Sequence, residues 1–375
     1  ELSIGGTIVL TISLKTSIAA APVIFAANKP SDLRPIKADR DPIRSLRIMS
    51  AYQVVGIGNA IVDVISQSND SFLELMGIQK GIMQLVERDR GELLYGAMEN
   101  RIQTPGGSVA NTIAGLGKLG LSTGFIGRVR ADGLGNFYAE ATADGGTDFL
   151  NPPVASDDLP TSRSMIFVSP DGERSMNTYL GISADLSPDD VPQALVADAE
   201  ILFLEGYLFD KPAGKQAFKT AALACKSGGG AAGISLSDPF CVDRHRVDFR
   251  TLVTELDYVI GNHEEWQSLY QTENLNSALQ QAAQDCALVV CTRGAAGATV
   301  MTAENRIDIP VKSIRAIDST GAGDQFATGF LFGLATGKDL KTCGRMGCIA
   351  ASEVIGHIGP RPEADIAQLF AAAGL

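Results

Sequence analysis

The chain is poor in histidine, in aromatic residues and in paired cysteines, and each shortage removes a class of function. Its three histidines, His245, His263 and His357, are too few for a histidine-rich metal centre. His263 opens a His-Glu-Glu-Trp run, but Gln267 stands where a zinc-binding helix needs its second histidine. The six cysteines, at 225, 241, 286, 291, 343 and 348, contain no C-x-x-C pair. A chain of 375 residues can bury a core without disulfides, so these read as reduced, mostly buried thiols of a cytoplasmic protein. Positive charge is also short, with 31 Lys+Arg against 43 Asp+Glu and a net charge of -12, which argues against coating nucleic acid or an anionic membrane. No apolar run is long enough to span a bilayer, because residues 7–27 are interrupted by Lys15 and Pro22. Lys118, Lys215 and Lys338 each follow a glycine, yet none precedes Ser or Thr, so there is no Walker A loop. GIGNAI (56–61) starts like a dinucleotide fingerprint but has Ile61 in place of the third glycine. A nicotinamide oxidoreductase therefore rests on an incomplete match.

What the chain does have is an ordinary globular balance, 45% hydrophobic and 20% charged, with 40 glycines. Such a glycine content implies many tight turns and close backbone approaches. The first fifty residues differ in kind. They hold seven basic and four acidic residues, leaving the rest of the chain at -15. A secretory signal begins with a basic segment, whereas this chain opens on Glu1. The expected folded unit is 49–375, starting near Met49, with 1–48 a non-native or dispensable extension; a processed targeting peptide is the alternative.

After Met49 the pattern is a β/α alternation. QVVGIGNAIVDVIS (53–66) reads as one buried strand, and GIMQLVE (81–87) as a short one before a helix through RGELLYGAME. PGGSVANTIAGLGKLG (105–120) is a glycine-rich turn feeding a helix of small residues, followed by the strand LSTGFIGRV (121–129). SMIFVS and RSMNTYL flank a Pro-Asp-Gly turn, a hairpin signal. ILFLEGYL, AAGISLSDP, YVIGN, ALVVCTRG and ATVMTA then alternate with helices ending at Cys225, near 247–256 and from 263. The fold class that follows is α/β, a doubly wound, mostly parallel sheet with helices on both faces. The strands near 80 and 165 fall outside that rhythm and are expected to form a small separate sheet, from about 64–90 and 160–182.

The chemistry concentrates in IDSTGAGDQFATGFLFGLATG (317–337), a turn leading into a long apolar helix. Unpaired N–H groups at a helix start, with the helix dipole behind them, make an anion site. Gly321, Ala322 and Gly323 form that turn, and Asp324 sits beside it in the first helical turn. Asp324 has two readings: a dipole-complementing acid, or a general base that takes a proton from a hydroxyl while the turn holds a transferring phosphoryl group.

GAGDQFATGFLFG resembles the C-terminal signature of the PfkB, or ribokinase-like, carbohydrate and nucleoside kinases, and PGGSVANTIAGLGKLG resembles their N-terminal signature. The two stand in the family's order, and the resemblance covers about residues 52–370. It implies a ribokinase-like fold with a small β-sheet lid. It also implies ATP-dependent phosphorylation of a small-molecule alcohol, with Mg²⁺ and optionally K⁺. The resemblance makes Asp324 the catalytic base and Gly321-Ala322-Gly323 the anion hole. It points to Arg174, after the lid turn, as a clamp on the γ-phosphate; the bland reading is a solvated surface arginine.

On the acceptor side the resemblance implies Asn59, Asp63, Gly106, Gly107 and Asn111. Asp63 in an apolar run is costly unless paired. It reads either as a turn residue or as an acceptor for two sugar hydroxyls, while the glycine pair acts as a lid hinge. The N-x-x-x-D spacing at 59–63 and the GGSVAN string are more similar to the adenosine kinases than to the ribokinases. Met176, with Met83 and Tyr207, is a candidate wall for a base, although methionines on strands are commonly plain core. On the donor side Asn262 and Glu265 are similar to the family's N-x-x-E motif, which organises Mg²⁺ through water; locally the same residues make a helix cap. Thr292 and Gly294 are similar to its nucleotide-bordering T-x-G turn. Asp318, Thr320 and Gly359 are similar to a monovalent-cation loop, with Ser319 where Thr is frequent. The expected function is phosphorylation of a nucleoside's primary hydroxyl, foremost that of adenosine. A ribokinase- or fructokinase-like sugar kinase and a non-catalytic binding protein are the alternatives. Both monomer and homodimer stay open.

Overall fold

The computed structural model describes residues 50–375 except 312, 313 and 315, so the expected extension 1–48 and the start at Met49 lie outside the described residues. In chain order the first strands are β1 (Val54–Ile57), β2 (Ile61–Gln67), β3 (Met83–Leu85), β4 (Ile102–Gly106), β5 (Thr123–Ile126), β6 (Asp148–Phe149), β7 (Ser162–Val168) and β8 (Arg174–Tyr179). They are followed by β9 (Ile201–Glu205), β10 (Ala231–Ser235), β11 (Tyr258–Asn262), β12 (Leu288–Thr292), β13 (Ala298–Met301) and β14 (Arg306–Ile309). The first helices are α1 (Asp70–Leu75), α2 (Arg88–Ala97), α3 (Ser108–Lys118), α4 (Gly133–Asp144), α5 (Gln193–Asp198) and α6 (Pro212–Ser227). Then come α7 (Pro239–Arg244), α8 (Arg246–Glu255), α9 (His263–Tyr270), α10 (Leu275–Asp285), α11 (Ala322–Ala335), α12 (Leu340–Val354) and α13 (Ile366–Ala372).

Nine strands form the main sheet in the order β14-β13-β12-β11-β10-β9-β1-β5-β6. Its seven strands from β12 to β6 are parallel, as the α/β alternation predicts. Strands β13 and β14 are antiparallel. The link from Arg293 to Gly297 is too short for a parallel crossover, so β13 has to fold straight back on β12. Side chains alternate between two cores. Val55, Leu202 and Leu204 pack with Phe218, Phe249 and Trp266 on one face. Val54, Ile201 and Phe203 pack with Ile113, Phe330 and Cys343 on the other. Both faces are therefore covered, which is why these strands read as continuous apolar runs.

The second sheet has the order β3-β8-β7-β2-β4. It departs from the sequence reading in two places. The stretch 53–66 is not one strand: it breaks at Gly58-Asn59-Ala60, and β1 and β2 belong to different sheets. The break has a packing cause, because a Cβ on Gly58 would lie 2.5 Å from Glu205 Oε2. Secondly, β4 comes from the glycine-rich turn itself. Its Pro105 is tolerated because β4 is an edge strand. The Pro-Asp-Gly hairpin forms as β7 and β8, paired antiparallel.

Candidate active site

Helices α3 and α11 lie side by side with their N-termini at one end. Small residues make this possible: a Cβ on Gly115 would sit 2.7 Å from the Thr328 side chain. The close approach brings the first turn of α3 against Asp324. Ser108 Oγ donates to Asp324 Oδ1 at 2.6 Å, and Asn111 Nδ2 donates to Oδ2 at 3.0 Å. Thr112 Oγ1 donates to the Asp324 backbone carbonyl at 3.0 Å, tying the two helices at the same level. Gly321 is in the left-handed region (φ 78°) and caps α11. Ala322 N–H is taken by the Ser319 carbonyl at 3.2 Å, whereas the N–H groups of Gly321 and Gly323 have no partner among the described residues. Two helix dipoles thus converge where an anion would be held.

Asp63 reaches the same place from β2. It packs over Gly106, where a Cβ would be 2.5 Å from Asp63 Oδ2. The next residue, Gly107, has φ 108° and lies against the Asn59 carbonyl, which a Cβ would approach to 2.2 Å. Only glycine suits that turn. Burial lifts both acids: Asp63 to about 6, opposed by Arg174 and Arg361, and Asp324 to about 6, opposed by Ser108, Asn111 and Arg361. The Asp324 charge adds to the rise at Asp63. At neutral pH both are mainly ionised, so Asp324 is a competent proton acceptor.

Arg174, Met176, Asp63 and Ile65 share one face of the second sheet, by the pairing of Val168 with Arg174, of Ile65 with Ile166 and of Ile166 with Met176. Met83 extends that row beside Met176. The opposite face, with Val62, Val64, Met165 and Phe167, is covered by Leu73 of α1 and Leu94 of α2. Arg174 Nη1 pairs with Asp318 Oδ2 at 3.1 Å. Asp318 also accepts from Thr320 N at 2.9 Å and from Gly359 N at 3.0 Å. Burial opposes ionisation of Asp318, but these hydrogen bonds and Arg174 outweigh it and hold the carboxyl below its usual range. Asp318, Thr320 and Gly359 are therefore one cluster. A monovalent cation at Asp318 would have to compete with Arg174.

Asn59 stands apart from this face. Its amide donates to Glu205 Oε1 at 2.8 Å and its oxygen accepts from Ser183 Oγ at 2.9 Å, with only 2% of the residue exposed. Glu205 also accepts from Val109 N in the first turn of α3, at 3.0 Å. Burial raises the Glu205 carboxyl to about 7 against these donors. Asn59 is thus engaged in anchoring α3 and the β1–β2 link.

Asn262 and Thr292 are register neighbours at the carboxyl ends of β11 and β12, where open α/β sheets bind ligands. Gly294 begins the 3₁₀ turn that follows. Asn262 and Glu265 form a reciprocal helix cap: Asn262 N to Glu265 Oε2 at 2.8 Å, and Glu265 N to Asn262 Oδ1 at 2.9 Å. Burial pushes the Glu265 carboxyl to about 7, with Asp238 and Glu264 adding negative charge. No three His, Cys, Asp or Glu side chains converge on a metal position among the described residues. A hard carboxylate of this kind, already accepting from Asn262, suits Mg²⁺ carried by phosphates and reached through water, not an all-protein cage. The Tyr207 phenol is raised by burial first and then by the negative charges of Asp238, Glu265, Glu205 and Asp324.

Three residues of this neighbourhood escape the sequence reading. Ser108 stands inside the quoted GGSVAN string, and its place at a helix start was the available signal. Glu205 ends the apolar run ILFLE, where a buried charge is unusual. Arg361, whose Nη2 donates to the Pro105 carbonyl at 2.6 Å, has no local signal at all.

The profile of the pfkB family carbohydrate kinases matches residues 81–366. The chain is 42% identical to a solved probable sugar kinase from Rhizobium etli CFN 42, covering 87% of this chain and 99% of that one, with a TM-score of 0.79. It is also 42% identical to the solved adenosine kinase from Sinorhizobium meliloti, with 86% and 99% coverage and a TM-score of 0.78. A 5-dehydro-2-deoxygluconokinase from Bacillus licheniformis is 27% identical over 260 residues, 67% of this chain and 80% of that protein.

Proposed function

Since the chain belongs to the PfkB family of carbohydrate kinases and is a phosphotransferase acting on a sugar or a nucleoside, we propose that it transfers the γ-phosphoryl group of ATP to the primary hydroxyl of a nucleoside, foremost adenosine. The observation that carries this reading is the carboxylate of Asp324, held by Ser108 and Asn111 where two helices begin, with Asp63, packed over Gly106, within reach of its charge. Asp63 accepts hydrogen bonds from sugar hydroxyls and so orients the acceptor. Asp324 removes the proton of the attacking hydroxyl as its oxygen bonds to phosphorus and the bond to the β-phosphate oxygen breaks. The open N–H groups of Gly321 and Gly323 neutralise the transferring group. Arg174 exchanges Asp318 for that group when the second sheet closes as a lid. Asn262, Glu265, Thr292 and Gly294 would border the ATP phosphates, and Glu265 would hold Mg²⁺ through water, where the ion would supply charge neutralisation.

The base is the finer point. The Met83–Met176 row supplies apolar surface beside Asp63, as a nucleoside requires. The likeness to the Sinorhizobium adenosine kinase supports the same choice. The Rhizobium probable sugar kinase at equal identity supports a sugar acceptor as the second reading. A panel of adenosine, other nucleosides, ribose, fructose and 5-dehydro-2-deoxygluconate with ATP and Mg²⁺ decides between them. Phosphorylation of adenosine at the highest kcat/KM is expected; turnover of sugars with none of adenosine moves the assignment to a sugar kinase.

A further inference from the structure

A carboxamide can present either its amino group or its oxygen to a neighbour. If the Asn111 amide were turned over, its oxygen would meet the Asp324 carboxylate and the two acceptors would repel. The orientation seen is set by Arg361, in the loop between α12 and α13. Its Nε donates to Asn111 Oδ1 at 3.3 Å, and its Nη2 donates to the Pro105 carbonyl at 2.6 Å. A guanidinium has donors only, so it can engage only the oxygen of the amide. With that oxygen claimed, Nδ2 points to Asp324 Oδ2 at 3.0 Å. Pro105 immediately precedes the Gly106–Gly107 turn, so the same side chain joins the edge of the second sheet to the first turn of α3.

The electrostatic surroundings agree with this geometry. Asp63 on β2, Asp324 on α11 and Tyr138 on α4 are the titratable groups that face Arg361. Arg174 on β8 also faces Asp63, and Glu205 on β9 faces Asp324. Arg361 is the cation that acts on both carboxylates.

We propose that Arg361 is a positioning residue of the phosphoryl-transfer site: it locks the Asn111 carboxamide in the orientation that hydrogen-bonds Asp324, and it links that lock to the second sheet through Pro105. The kinetic part of this inference rests on the reading of Asp324 as the base.

The test compares wild type, Arg361→Gln and Arg361→Lys over pH 5–9, with the acceptor that wild type turns over. In Arg361→Gln kcat falls about 10²-fold, the scale of a slightly misplaced catalytic group. KM for ATP stays near wild type, and the acidic limb of kcat/KM moves up by about one pH unit. Arg361→Lys keeps the cation but not the fork, so the limb returns toward its wild-type position while kcat recovers only in part. An unmoved limb with unchanged kcat overturns the proposal, as does a loss that appears equally in KM for ATP. The pH dependence of Tm separates this failure from failure of the kinase reading, because it needs no turnover. The Tm deficit of Arg361→Gln grows from pH 5 to pH 8 if the guanidinium faces two ionising carboxylates. A deficit independent of pH overturns the proposal even where no acceptor has been found.

Discussion

Asp324 illustrates how one side chain takes its chemistry from its surroundings. Left in water an aspartate is too weak a base to be useful, but burial raises this one to about 6 while Ser108 and Asn111 keep it hydrogen-bonded. Asp324→Asn keeps the shape and removes the proton acceptor, so kcat should fall ~10²–10⁴-fold with KM little changed, in steady-state assays. Below the raised value the carboxylate is protonated and cannot accept. The rate should therefore fall about tenfold per unit below pH 6, where an unperturbed aspartate would hold out to pH 4. Ser108→Ala removes the shorter of the two hydrogen bonds to the carboxylate. Since that donor favours the ionised form, its loss should move the limb of the pH–rate profile further up and cost about 3–10-fold in kcat/KM.

At the scale of elements, the site exists because α3 and α11 approach closely. The small residues of α3 are buried almost throughout, from Val109 to Leu116, and Gly115 sets the contact with Thr328. A valine there must push the helices apart. Gly115→Val should lower stability by about 1–3 kcal/mol in denaturant titration. It should cost activity about 10²-fold even well below Tm, because Ser108 and Asn111 leave Asp324 by a fraction of an ångström. Equal activity at 25 °C would show that the helix spacing does not set the geometry. The strand at 53–66 teaches the converse lesson. Its two ends are strand-forming and Gly58-Asn59-Ala60 between them is not, yet nothing in the local pattern says that the two ends belong to different sheets. The break at Gly58 answers a carboxylate that arrives from β9, far along the chain.

Across the whole molecule, four buried carboxyls, Asp63, Asp324, Glu205 and Glu265, are lifted to about 6 or 7. An acid raised on folding favours the native state fully below its unfolded value near 4 and loses that contribution as pH climbs through its folded value. Asp318 and Asp339, held low, act in the opposite sense and lose their contribution only as pH falls below about 4. Tm by calorimetry should thus be higher near pH 5 than near pH 8, on the side where the base is inactive. A Tm that rises steadily to pH 8 would contradict the burial of these groups. The six cysteines are all buried and free, and burial pushes the Cys225 thiol up to about 12. They should resist a thiol reagent in the native state and react in full after unfolding. Among the described residues no helix is long and apolar enough to cross a membrane.

The sequence alone determined the α/β class, the hairpin around Pro-Asp-Gly and the glycine turn that opens α11 at Asp324. These depend on local period, turn chemistry and helix starts, which neighbouring residues dictate. Tertiary structure alone decided that Ser108 and Asn111 hydrogen-bond Asp324, that Arg361 and Asp63 lie within its electrostatic reach, and that Asn59 is absorbed by Glu205. Those outcomes depend on which surfaces pack together over long separations, and hydrogen-bond partners brought in that way leave no periodic trace in the chain.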